Sequence, residues 1–77
     1  MKRVAIVTGT ARGIGAAIAS KLEADGFGVA RLNRTPLAGE FAFELGAIET
    51  HEAVVEAIMA RFGRIDCLIN NAGIASP

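Results

Sequence analysis

Val4-Ala5-Ile6-Val7-Thr8-Gly9-Thr10-Ala11-Arg12-Gly13-Ile14-Gly15 decides how the rest of this chain is read. Val4 to Val7 form an apolar, mostly β-branched run, too short for a helix but suited to a strand buried on both faces. A turn with glycines at 9, 13 and 15 follows, and then an Ala-rich helical pattern begins. Strand, glycine turn and helix together make a candidate phosphate site. Glycine lets the backbone approach a ligand with no Cβ in the way. The first N–H groups of the helix have no intrahelical partner and carry the positive end of the helix dipole. The spacing Gly-x-x-x-Gly-x-Gly is neither the Gly-x-Gly-x-x-Gly dinucleotide fingerprint nor the Gly-x-x-x-x-Gly-Lys phosphate loop. The turn holds no lysine, which argues against transfer of a nucleotide's terminal phosphate. The alternative reading is a strand-to-helix turn whose glycines serve tight packing alone.

Downstream, Ile14, Ala17, Ile18 and Leu22 recur at helical spacing and predict an apolar stripe. Asp25-Gly26 ends that helix, and Gly28 to Asn33 reads as a second strand, parallel to the first and beside it. Arg34 to Gly39 is a loop with both proline and glycine. Glu40 to Leu45 alternates, with Phe41, Phe43 and Leu45 on one face, and predicts a short strand. No full helix fits between these two strands. Thr50 is the expected N-cap of a second helix, with Glu52 complementing its dipole. Val54, Val55, Ile58, Met59 and Phe62 share one face of that helix, and Gly63 closes it. Ile65 to Asn70 predicts another strand, and Asn71 to Pro77 leaves it as a loop. Strands joined through helices imply a parallel sheet, which needs cover on both faces.

Composition narrows the function classes. The chain has 77 residues, 52% of them hydrophobic and 21% charged, with a formal net charge of zero. This suits one small globular domain at most. Zero net charge and the lack of a basic run exclude a nucleic-acid binder that works by phosphate neutralisation. No apolar stretch approaches the roughly 20 residues of a membrane span. The apolar run after Lys2-Arg3 breaks at Thr8-Gly9, too early for a secretory signal core. A lone Cys67 gives neither a disulfide framework nor a metal cluster. The expected location is cytoplasmic.

Arg12 lies inside the glycine turn, and Arg34 follows the carboxyl end of the second strand. In open α/β sheets ligands sit outside the carboxyl ends of the strands, so both arginines can converge there. An NAD-preferring dinucleotide fold places an acid near the end of its second strand, where this chain reads Leu32-Asn33-Arg34. An arginine there can instead grip a 2′-phosphate through its forked donors. The other reading is two solvated surface arginines. His51 is expected at the surface, Cys67 as an inert core residue, and Met59 and the four Phe residues as core. Glu40 and Glu44 lie roughly 13 Å apart along an extended strand, too far for a catalytic carboxylate pair. Asn70-Asn71-Ala72-Gly73 ends a buried strand, and its asparagines can pin neighbouring strand ends.

Thr8 to Gly15 and Asn70-Asn71-Ala72-Gly73 together resemble the short-chain dehydrogenase/reductase family, and Gly63-Arg64-Ile65-Asp66 is similar to it as well. The resemblance covers essentially the whole chain, but only the cofactor-binding front of a family member. It implies an α/β fold, a Rossmann-like doubly wound parallel sheet, truncated, with residues 1–77 the N-terminal part of a single dinucleotide-binding domain. By resemblance, Gly9, Arg12, Gly13, Ile14 and Gly15 would line the pyrophosphate and adenosine phosphates. Arg34 would bind the 2′-phosphate, Glu44 and Leu45 would flank the adenine, and Asn71, Ala72 and Gly73 would line the adenosine ribose. NADP(H) is the expected cofactor, with NAD(H) as the alternative, and a homo-oligomeric parent is implied. Three departures stand out. The family helix between the second and third strands is missing or reduced to Thr35 to Gly39. Glu44 stands where family members commonly carry Asp. The family's catalytic Ser and Tyr-x-x-x-Lys are absent, and the chain contains no tyrosine.

The resulting expectation is the cofactor-binding segment of an NAD(P)(H)-dependent oxidoreductase acting on a carbonyl or alcohol. A non-catalytic nucleotide-binding module, and a fragment serving only as an interaction partner or remnant, are the alternatives. In any of these cases the 77-residue chain by itself is expected to turn over no carbonyl substrate, since a positioned proton donor typically contributes roughly 10²–10⁴-fold. NADPH absorbance followed over a panel of carbonyl compounds checks this; turnover that tracks with the repurified chain would overturn it.

Overall fold

The structure, a computed structural model, describes residues 2–44 and 46–71. Strand β1 (Val4–Thr8) leads through helix α1 (Gly13–Ala24) to strand β2 (Gly28–Asn33). A loop without helix then reaches strand β3 (Phe41–Ala42), a 3-10 turn (Ile48–Thr50), helix α2 (His51–Phe62) and strand β4 (Cys67–Asn70). The four strands form one sheet in the order β3-β2-β1-β4, with all three pairings parallel. Every residue of β1 is buried, as expected of a central parallel strand covered on both faces.

Alternation along the strands assigns a helix to each face. Ile6, Ala30 and Leu32 pack with Ile58 of α2 in the main core cluster, flanked by Phe41, Phe43, Val54, Phe62 and Ile65. Arg31 points the other way, where its guanidinium pairs with Glu23 at 2.8 Å and reaches Ser20 of α1. The hydrogen bonds from Arg31 hold the Glu23 carboxyl below its ordinary pKa. One helix on each side of the sheet is the doubly wound arrangement.

Several expectations are corrected in detail. The buried face of α1 is Gly15 and Ala19, with Ile18 and Leu22 only half-buried, while Ile14 is 70% exposed. Small residues face the sheet because α1 starts hard against the glycine turn, which turns the larger Ile14 outward. Thr50 holds the N-cap position of α2, but its side chain makes no cap hydrogen bond. It belongs to the preceding 3-10 turn, has near-helical angles, and its hydroxyl donates to the Ala47 carbonyl at 2.7 Å. Strand β3 is two residues long because β2 ends at Asn33, opposite Ala42; only the Phe43 N–H still reaches Asn33 O, at 2.9 Å. Strand β4 is shorter than expected too, beginning at Cys67 opposite Ala5.

The outer parts of the expected core are exposed. Cys67 is exposed rather than a core residue, because β4 is the outermost strand and α1 lies over β1 and β2. Leu68 is 62% exposed, and Val55 and Met59 are also exposed, so only Val54, Ile58 and Phe62 of the α2 stripe meet the core. All four Phe residues are half-buried. His51 is half-buried as well, stacked on Phe43 with ring centroids 4.8 Å apart. Among the described residues no helix is long and apolar enough to cross a membrane.

Asp66 ties β4 to β1 at the opposite end of the sheet from the glycine turn. Its carboxylate accepts from the Val4 N–H at 2.7 Å and from Arg64 Nε at 2.8 Å, while its own N–H donates to Val4 O. The Arg64 hydrogen bonds, reinforced by the Val4 N–H, hold the Asp66 carboxyl below its ordinary value of 3.8. A carboxyl depressed in the folded state stabilises the fold fully above its unfolded pKa. That contribution is lost as pH falls through the lower, folded value. Thermal melts across the acid range are expected to show Asp66→Asn less stable than the parent near neutrality, with the difference shrinking on acidification. A difference independent of pH would refute the clasp.

Candidate functional site

The carboxyl ends of β1, β2 and β4 are held together by polar groups around Gly9. The Gly9 N–H donates to Leu32 O at 2.8 Å, and the Gly9 carbonyl accepts from Asn71 Nδ2 at 3.1 Å. Thr8 Oγ1 donates to Asn70 Oδ1 at 3.0 Å. Asn33 Nδ2 donates both to Thr10 Oγ1 at 2.7 Å and to Glu40 Oε1 at 2.8 Å. Thr8, Thr10 and Asn33 are all buried, so these bonds satisfy groups whose isolation would cost about 1–3 kcal/mol each.

The glycines have separate tasks. Gly9 and Gly13 have φ of 69° and 66°, in the left-handed region where a side chain is strained. Gly15 is needed for space: a Cβ there would overlap the Gly9 carbonyl oxygen and sit 2.6 Å from Asn71 Nδ2. The N-terminus of α1 can therefore press against the end of β1 only if residue 15 has no side chain. Arg12 lies just before α1 in extended conformation and is exposed.

Beside this junction a cleft of about 710 Å³ opens, lined by Gly9, Arg12, Leu32, Arg34, Phe43 and Glu44 among others. Its size is that of a small-molecule site. The two arginines singled out in the sequence thus face one hollow, at the carboxyl ends of the strands. Arg34 Nε lies 3.6 Å from Glu44 Oε2, both side chains being largely exposed. Another hollow of about 450 Å³, lined by Val4, Gly28 and Phe62 among others, lies at the amino ends of the strands, away from the start of α1. Of the expected site residues, Gly9, Arg12, Arg34 and Glu44 line the cleft, and Gly15 and Asn71 brace it. Gly13 and Ile14 form the exposed first turn of α1. Leu45, Ala72 and Gly73 lie outside the described residues. Asn33, Thr10 and Glu40 are an addition to the sequence reading. The available signal was an Asn at the end of β2 and a Thr just beyond β1, where buried polar atoms must find partners.

The family model for short chain dehydrogenase matches residues 3–77. The chain belongs to the short-chain dehydrogenase family. It is 45% identical to an acetoacetyl-CoA reductase of Shinella zoogloeoides, over 96% of this chain and 35% of that protein. It is 38% identical to a D-threitol dehydrogenase of Mycolicibacterium smegmatis, over 95% of this chain and 34% of that protein. Among solved structures it superposes on a 3-oxoacyl-[acyl-carrier protein] reductase of Brucella melitensis in complex with NAD, with TM-score 0.88 and 42% identity. That match covers 97% of this chain and 35% of the other. The chain therefore spans about a third of the length of the short-chain dehydrogenases it matches. The alignment to the Shinella reductase runs over 85 positions yet holds 96% of a 77-residue chain, so roughly eleven positions face gaps in this chain. A shortfall of that size equals about three helical turns. Between β2 and β3 this chain has only the loop from Arg34 to Glu40, with no helix.

Gly15→Ala is expected to cost at least about 1–3 kcal/mol, as overpacking does in a filled site. Gly46→Ala is the control, because a Cβ there meets nothing within 4 Å and the backbone is not left-handed. Denaturant melts of both variants check this. Equal stabilities would show that the α1 junction yields freely.

Proposed function

We propose that this chain forms the adenosine and pyrophosphate half of a nicotinamide dinucleotide site in an NAD(P)(H)-dependent oxidoreductase, with NADP(H) preferred over NAD(H). The observation that carries this reading is the shared cleft of Arg12 and Arg34 beside the start of α1. The cleft suits such a group in three respects. Its floor at Gly9 bears no Cβ, the N-terminal N–H groups of α1 lie next to it, and two guanidinium groups line its wall. Gly9, Arg12, Gly13, Ile14 and Gly15 would receive the pyrophosphate and adenosine phosphates. Arg34 would hold the 2′-phosphate, Glu44 and Leu45 would flank the adenine, and Asn71, Ala72 and Gly73 would line the ribose. Asn71 would do so while donating to Gly9 O, which keeps the turn in place.

The bound nicotinamide would supply or accept hydride for a carbonyl or alcohol substrate. The residues here bind and orient. The chain contains no tyrosine, so the proton donor of the family reaction is not among them. Names of the relatives, acetoacetyl-CoA reductase and 3-oxoacyl-[acyl-carrier protein] reductase among them, favour reduction of a carbonyl as the reaction of the protein that uses this site.

NADP(H) preference follows from Arg34 and the absence of an acid directly after β2. A charge-assisted hydrogen bond contributes roughly 1.5–3 kcal/mol, and about 1.4 kcal/mol is tenfold in affinity. Titration of both cofactors is expected to show at least about tenfold tighter binding of NADP(H), abolished in Arg34→Asp. Equal affinities in the parent, or a preference that survives Arg34→Asp, would overturn the assignment.

A further inference from the structure

We propose that Glu44 is an internal competitor for the phosphate that Arg34 receives, and so sets how strongly the cleft distinguishes 2′-phosphorylated from unphosphorylated adenosine. The inference rests on the cofactor reading above and adds a specificity-determining role to Glu44. Strand register creates the pair. Asn33 is opposite Ala42, and the Phe43 N–H reaches Asn33 O at 2.9 Å, so the residues that leave β2 and β3 emerge side by side. Arg34 comes directly after β2, Phe43 and then Glu44 come after β3, and Arg34 and Glu44 both line the cleft.

The pair is loose. Arg34 Nε and Glu44 Oε2 are 3.6 Å apart, beyond hydrogen-bond length, with side chains 78% and 55% exposed. By contrast, Arg31–Glu23 closes to 2.8 Å and carries hydrogen bonds. The nearby Glu40 is committed elsewhere, accepting from Asn33 Nδ2 and the Leu37 N–H. Glu44 is thus the carboxylate that holds Arg34 at the cleft without locking it. A phosphate dianion arriving at Arg34 must displace that carboxylate, because one guanidinium fork cannot serve both in full. An unphosphorylated ribose makes no such demand, so Glu44 lowers the discrimination that Arg34 provides.

The probes are 2′,5′-ADP and 5′-AMP, titrated into the full chain, Glu44→Gln, Arg34→Ala and the double variant. The ratio of the two affinities cancels any contact of residue 44 with the adenine, which both probes share. Glu44→Gln is expected to raise the preference for 2′,5′-ADP about two- to fivefold, the range an exposed ion pair can contribute. In the Arg34→Ala background the same substitution is expected to leave the ratio unchanged. An unaltered ratio in Glu44→Gln overturns the competitor role while leaving the cofactor reading intact. An equal gain with and without Arg34 assigns the effect to simple repulsion and also overturns it. A parent chain that does not prefer 2′,5′-ADP overturns the cofactor reading, and this inference with it.

Discussion

At Gly9 the amide is bound to β2, the carbonyl accepts from Asn71, and α1 presses on that same carbonyl at Gly15. This close approach fixes the start of α1 over the end of β1 and brings the residue after β4 to the same spot. A side chain at position 15 would wedge the helix away from the strand. The cleft walls depend on this junction, because Arg12 sits on the turn between Gly9 and Gly13, both in left-handed conformation. The packing reading of the glycines and the phosphate reading are therefore not rivals. Removing side chains to let the helix dock is also what exposes its N–H groups.

The sheet shows a second constraint. A parallel strand needs apolar cover on both faces, and β1 has it, with α1 on one side and α2 on the other. Strand β4 does not, and Cys67 and Leu68 are exposed on its two faces. Val55 and Met59 of α2 are exposed too. These residues have the hydrophobicity of core positions without a core around them, in a chain that spans about a third of its relatives' length.

The direct connection from β2 to β3 sets the wall of the cleft that carries Arg34, Phe43 and Glu44. With no helix there, Glu40 folds back to Asn33 and the Leu37 amide, and the loop is fastened by a side chain instead of by packing. That brace keeps Arg34 and Glu44 within reach of one another.

Sequence alone determined the strand-turn-helix start, the parallel α/β class, the extent of β2, and the family, since these depend on local periodicity, glycine placement and short motifs. It also selected Arg12 and Arg34, because their positions at strand ends place them on one edge of any open sheet. Which helix face is buried, whether Thr50 caps, and whether Cys67 and Met59 lie in a core were decided only by tertiary packing. Each depends on which neighbour covers a given side, and local periodicity carries no record of the neighbour. The Asn33–Thr10–Glu40 brace and the Arg34–Glu44 pair belong to the same class. Partners seven or more residues apart in sequence, or set by strand register, become visible only when the strands are paired.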